Sequence, residues 1–161
     1  MTRDLFLRRK WTLRAHGEQV VFVKRVNERR EHVLMKAFLW ALYLPEYEDL
    51  RVEVPVDDRF KPDVVSVNAR GEPRFWGEAG QVSPSKIGAL VKRFPDTHFA
   101  LAKWDTVLEP FIETVRDALA AVPRRAPFDL LRFPPDSAER FMGHRGEVDL
   151  QHGDLDWCRI M

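Results

Sequence analysis

The stretch running from Phe60-Lys61-Pro62-Asp63 to Phe75-Trp76-Gly77-Glu78-Ala79-Gly80-Gln81 constrains this chain more than any other. It reads as two adjacent strands, Pro62 to Val67 and Pro73 to Gly77, joined by a Gly-centred turn at Ala69-Arg70-Gly71-Glu72. Antiparallel pairing across that turn brings Asp63, near the start of the first strand, close to Glu78, at the end of the second. Two bare carboxylates ~4 Å apart repel by about 4 kcal/mol at an effective dielectric of ~20. A fold that gathers such a pair uses it to bind a cation or to share a proton. The first expectation is therefore a Mg²⁺ (or Mn²⁺) site, and with it phosphodiester chemistry.

The 161 residues suffice for one domain with a true core, and 45% hydrophobic with 32% charged residues is an ordinary globular balance. A net charge of +1 provides no global attraction for nucleic acid. Basic character is local, at Arg8-Arg9-Lys10, Lys24-Arg25, Arg29-Arg30 and Arg124-Arg125, and each cluster reads first as a solvated face. The single cysteine, Cys158, excludes an intramolecular disulfide and a thiolate zinc cage, and points to a reducing compartment. Met1-Thr2-Arg3-Asp4 runs straight into alternating residues, with no apolar stretch of signal or membrane-spanning length, so a cytoplasmic protein without membrane contact is expected.

Alternation between Leu5 and Leu13, a turn at His16-Gly17-Glu18 and a second strand from Gln19 to Val26 predict an N-terminal hairpin. Asn27 is a candidate cap for a helix ending near Leu44, before Pro45. From Ala37 to Leu44 that helix is apolar nearly all round, as in a helix buried on more than one side. Leu50 to Val56 alternates with period two and contains Pro55, so an edge strand is expected. Ser83-Pro84 supplies a cap and first position for a helix that stops at Pro95, and Thr97 to Trp104 reads as a buried central strand. A third helix, capped by Asp105 or Thr106, runs to about Ala121. A strand from Phe128 to Phe133, a short helix from Asp136 to Met142 and a terminal hairpin turning at His152-Gly153 complete the chain. Helix, three-stranded meander, helix and strand together predict an α/β (α+β) fold with a mixed sheet flanked by helices.

Beside Asp63 and Glu78, Glu28 and Glu31 lie one helical turn apart at the start of the first long helix. Acids there are favoured by the helix dipole, by about 0.3–1 kcal/mol each, but one of them could also reach the same cation. Glu31 is preferred because Leu34, Met35 and Phe38 mark the packed face. A basic group to stabilise a pentavalent phosphate or orient water is expected from Lys86, on the first turn after Ser83, with Gln81 as the nearby polar alternative and Lys103 third. Asp149, His152, Asp154 and Asp156 read as a polar outer face rather than as metal ligands. No Gly-rich phosphate loop, Gly-x-Ser-x-Gly elbow or His-Glu-x-x-His occurs.

The order of elements, with Pro62-Asp63 on one strand and Glu78-Ala79-Gly80 on the next, resembles the core of the PD-(D/E)XK nuclease superfamily. Gly80 stands where that motif has lysine; in the superfamily the lysine role is sometimes supplied by the following helix, which makes Lys86 the natural candidate. Glu28-Arg29-Arg30-Glu31 leading into Leu34 to Leu42, then Trp76-Gly77-Glu78-Ala79-Gly80 and Lys86-Ile87, is more closely similar to the YaeQ family within it. That resemblance implies a single restriction-endonuclease-like domain over residues 1–161, with a core at about 28–121 and β-rich N- and C-terminal extensions. It further implies a nuclease-like protein, with a magnesium ion on Asp63, Glu78 and Glu31 and with nucleic acid as partner. The alternative is the same fold with a weakened site, serving as a nucleic-acid- or protein-binding module.

Overall fold

The computed structural model describes the backbone of residues 3–161. A six-stranded mixed sheet forms the centre, in the spatial order β3 (Arg51–Val52), β4 (Val64–Val67), β5 (Pro73–Ala79), β6 (His98–Trp104), β7 (Phe128–Phe133) and β8 (Asp156–Ile160). The three middle strands β5, β6 and β7 run parallel; β4 and β8 are antiparallel to their neighbours. A separate two-stranded hairpin, β1 (Lys10–Ala15) and β2 (Glu18–Val23), precedes it and turns at His16 and Gly17, both at positive φ. That turn chemistry is the one a two-residue hairpin loop requires.

Period-two alternation splits the sheet into two faces. Phe75, Ala79, Ala100, Ala102, Leu131 and Phe133 face α2 (Arg30–Tyr43), with Trp11, Leu13 and Phe22 of the hairpin in the same cluster. Trp76, Phe99, Leu101 and Leu130 face α3 (Pro84–Arg93) and α4 (Glu109–Leu119). Every residue of α2 from Val33 to Tyr43 is buried, which accounts for its apolar circumference; it is covered by sheet on one side and by the hairpin on the other. Beneath it lies a buried polar knot. Asp129, fully buried on β7, accepts hydrogen bonds from Tyr43 Oη (2.6 Å), His98 Nε2 (2.7 Å) and both Nε and Nη2 of Arg159. Tyr47 Oη closes the chain on His98 Nδ1 at 2.9 Å.

Several expected boundaries shift for local reasons. Residues 3–6 form a short helix, α1 (Arg3–Phe6), and β1 begins only at Lys10. The N-cap of α2 is Arg29, without a side-chain cap bond, rather than Asn27. The edge strand β3 keeps two residues because Glu53 turns to φ 54. Helix α4 is capped at Leu108, not at Asp105 or Thr106, while Ser83 caps α3 by accepting from the Lys86 amide at 3.1 Å. After β7 comes α5 (Ser137–Phe141), one residue shorter at each end than expected. The terminal hairpin does not form. Residues 147–150 make only isolated bridges, Arg14 with Glu147 and Met142 with Val148, and β8 pairs with β7 instead. The C-terminal strands are thus part of the main sheet rather than an extension of it. Among the described residues no helix is long and apolar enough to cross a membrane.

Candidate active site

The sheet delivers Asp63, just before β4, and Glu78, on β5, from adjacent strands. Val64 pairs with Gly77, and just before it the Asp63 amide donates to the Gly77 carbonyl at 3.0 Å. The Asp63 carboxylate then continues the ladder as a side chain, its Oδ2 accepting from the Ala79 amide at 2.8 Å. Asp63 therefore clasps β5 on both sides of Glu78. Glu78 itself projects to the α3 face, where Oε1 accepts from Trp76 Nε1 at 2.9 Å and meets Lys86 Nζ at 2.9 Å. Burial pushes the Glu78 carboxyl above its ordinary range; the Trp76 and Lys86 bonds pull it back, and the charge of Asp63 pushes it up again.

Lys86 reaches this point because the Ser83 cap and Pro84 start the helix where its first turn overhangs β5. Its Nζ also lies 5.0 Å from the centre of the Phe60 ring. Gln81 is exposed, lines a groove of about 690 Å³ and makes no side-chain hydrogen bond among the described residues. Glu31 lines the same groove, its Oε2 3.9 Å from Arg30 Nε, and is not bonded to Asp63 or Glu78. Lys103 is buried and donates to the Gly80 carbonyl at 2.6 Å, with its Nζ 4.1 Å from the Phe111 ring centre and desolvation lowering its pKa.

Two residues absent from the sequence-based expectation, His32 and Lys36, complete the cluster with Glu28, which that expectation ranked behind Glu31. Glu28, rather than Glu31, turns inward: its Oε2 lies 2.7 Å from His32 Nδ1 and 2.6 Å from Lys36 Nζ. Lys36 is buried and bridges to Glu53 at 3.1 Å. The other His32 nitrogen, Nε2, lies 3.2 Å from the Ala79 carbonyl and 3.7 Å from Asp63 Oδ2. Both ring nitrogens face acceptors, one of them a carbonyl that can only accept, an arrangement that favours the doubly protonated imidazolium. The nearby Asp63 carboxylate and the hydrogen-bonded Glu28 raise its pKa against the opposing effect of burial. Burial pushes Glu28 up, but its bonds to Lys36 and His32 outweigh this and hold it below the usual carboxylate range. His32 divides two cavities, one of about 370 Å³ lined by Arg25, Glu28, Lys61 and Asp63, the other the Gln81 groove.

A titration follows from this geometry. His32 followed by NMR is expected to lose its proton above the ordinary histidine value of 6.5 and, in Glu28→Gln, at a lower pH than in the unaltered chain. Because the folded-state pKa is raised, the stabilisation is complete below 6.5 and fades as pH rises through the folded value. An unchanged His32 titration in Glu28→Gln would contradict the pairing.

No protein-family model and no curated protein matches this sequence. Solved structures do. A YaeQ protein from Pseudomonas syringae superposes with a TM-score of 0.59 at 15% identity, over 78% of this chain and 66% of that one. The YaeQ protein of Xanthomonas axonopodis pv. citri gives a TM-score of 0.58 at 14% identity, over 86% of this chain and 81% of its own. The chain has a YaeQ-like fold. It spans just under two thirds of the first of these proteins, and at such identities the YaeQ likeness is one of architecture: a mixed sheet with helices on both faces.

Proposed function

We propose that this chain is a nuclease-like protein of the PD-(D/E)XK type, which hydrolyses phosphodiesters of DNA or RNA with the help of Mg²⁺ or Mn²⁺. The observation that carries the reading is the ammonium of Lys86, 2.9 Å from the buried Glu78 carboxylate, on the strand that Asp63 clasps. Two acids and a lysine are thereby gathered although Gly80 removes the lysine from the strand itself.

Among the described residues no group of three or more His, Cys, Asp or Glu is arranged to hold a metal ion. Mg²⁺ asks for less: it keeps several waters and takes one or two carboxylates plus substrate phosphate. Asp63 and Glu78 are hard oxygen donors of that kind and would be its protein ligands; Glu31, turned into the neighbouring groove, is less suited. When bound, such an ion polarises the phosphate and lowers the pKa of a coordinated water. The chain's own contribution would be Lys86, whose charge beside Glu78 suits it to orient the attacking water and to stabilise charge developing on the phosphate. Gln81, on the groove lip, is the weaker candidate for that task.

The second reading, a binding module with a silenced site, draws on His32. Its ring lies against the Asp63 and Ala79 oxygens with a raised pKa, and Lys36 bridges Glu28 and Glu53, so these acids already have internal counter-charges beside them. Incubation with labelled single- and double-stranded DNA and RNA in Mg²⁺ or Mn²⁺ separates the two. Under the nuclease reading, cleavage is lost in Asp63→Ala and Glu78→Ala and falls by about 10²-fold in Lys86→Ala. Intact substrates with the unaltered protein would move the conclusion to the binding module.

A further inference from the structure

A second cavity, of about 640 Å³, lies outside the cluster just described, between the start of the hairpin and the turn at residues 143–147. Its walls carry Arg8, Arg14, His144 and Arg145, with Glu147 as the acid. The chain is built to bring these together. The Arg14 amide donates to the Gly146 carbonyl at 2.8 Å, the Val148 amide donates to the Arg14 carbonyl at 2.7 Å, and Arg14 Nη1 donates to the Arg145 carbonyl at 2.5 Å. Gly146, at φ 80, permits the approach: a Cβ there would stand 2.4 Å from the Thr12 carbonyl oxygen. The turn is thus locked onto β1, which sets the Arg145 side chain beside Arg14. Glu147 is partly occupied, since its Oε2 accepts from the Arg145 backbone amide at 2.9 Å. Among the described residues no carboxylate lies within ion-pair distance of the guanidinium of Arg14 or of Arg145. Guanidinium groups gathered around one groove with so little acid repel one another and are relieved by an anion.

The open end of the hairpin relates this groove to the cavity of Asp63. Beyond the last ladder pair, Lys10 with Val23, the Lys24 amide donates to the Arg9 carbonyl at 2.7 Å. Arg8 of the groove and Arg25 of the 370 Å³ cavity therefore flank the same open end of the hairpin. Between them and α2, the Phe6 ring packs on Trp11 at 5.2 Å and under the Arg30 guanidinium at 4.7 Å. Basic residues thus stand at both cavities, Arg25 and Lys61 at that of Asp63 and Arg8, Arg14 and Arg145 at the groove, with Arg30 over Phe6 near the hairpin end.

We infer that this groove is a binding subsite for the phosphodiester backbone of a nucleic acid, one that holds the strand while another part of it lies over Asp63 and Glu78. The inference deepens the nuclease reading and rests on it for the second half of that statement. Planar guanidinium groups suit phosphate oxygens, which they engage through paired hydrogen bonds. Basic residues at both cavities suit a linear polyanion rather than a single small anion.

The test is binding, kept apart from cleavage. Fluorescence anisotropy with labelled single- and double-stranded DNA and RNA oligonucleotides in EDTA is compared for the unaltered chain, Arg8→Gln/Arg145→Gln and Asp63→Asn. Oligonucleotide binding is expected to weaken at least tenfold in the double variant, with the logarithmic salt slope reduced by about 2. Asp63→Asn is expected to bind as well as the unaltered chain or better. A matching thermal melt for the double variant, whose two side chains are exposed, establishes that the fold is retained. Equal affinity and equal salt slope in the double variant, or binding to polyglutamate or anionic vesicles as tight as to oligonucleotides, would overturn the inference. Groove-dependent binding without cleavage in Mg²⁺ would leave this subsite standing and sink the nuclease reading alone.

Discussion

Replacing Asp129 by alanine is expected to cost about 3–5 kcal/mol of folding stability, the range found when one partner of a buried charged cluster is removed. The substitution strands a guanidinium, an imidazole and a phenol that all donate to one carboxylate. A domain of this kind has only about 5–15 kcal/mol in total, so urea denaturation should show a midpoint lowered by a large fraction, or no folded baseline. The native carboxylate also sets an acid limit. Burial alone would push Asp129 up, but its bonds from His98, Arg159 and Tyr43 win and hold it at about 2, against an ordinary 3.8. With the folded value depressed, the contribution is present above 3.8 and disappears as pH falls through about 2. The shift corresponds to a contribution on the order of 2 kcal/mol. Acid unfolding of Asp129→Asn should lack that component; the same midpoint and slope between pH 4 and 2 (~2 units of pH) as in the unaltered chain would refute the assignment.

These polar clusters mark where the sequence stops being legible. Backbone chemistry with a short reach could be read directly. His16-Gly17 announces its turn, Ser83-Pro84 its helix start, and the apolar run at residues 98–104 its place among the parallel strands. The meander at Asp63 to Glu78 was readable for the same reason, since one short turn connects its strands. Partner choice over long separations was not. Asp156 to Ile160 alternates as a strand should, but alternation specifies a face and not a neighbour; the neighbour is β7, some thirty residues earlier, rather than the segment next to it in sequence. His32 could be paired with Glu28 by helical spacing, yet its meeting with the Ala79 carbonyl, 47 residues on, depends on how α2 crosses the sheet. Lys36 hides in the same way. A lysine in an apolar helix reads as a surface residue until Glu53, in the irregular segment after β3, is seen to turn under it. The packed face marked by Leu34, Met35 and Phe38 points to Glu31 rather than Glu28; the residues before the helix proper bend inward, and that bend has no signal in the pattern.

Lys36 provides the second large effect. Its ammonium is buried, 2.6 Å from Glu28 and 3.1 Å from Glu53, so Lys36→Met removes one cation and leaves two acids facing each other across the space it filled. The expected loss is again about 3–5 kcal/mol by denaturant unfolding. It should shrink as the pH is lowered, because protonating either glutamate relieves the repulsion. The triple change Glu28→Gln/Lys36→Met/Glu53→Gln distinguishes a true ionic triad from simple packing. With all three charges gone the desolvation cost also goes, and most of the lost stability should return. If Lys36→Met alone is as stable as the unaltered chain, the ammonium is not the counter-charge of Glu28. The triple variant has a second use. It leaves Asp63, Glu78 and Lys86 untouched but takes away the Glu28 partner that helps keep His32 charged. If the His32 imidazolium is what silences the acids, metal-dependent cleavage should be greater in the triple variant than in the unaltered chain, whereas an intact nuclease should be left unchanged or impaired by it.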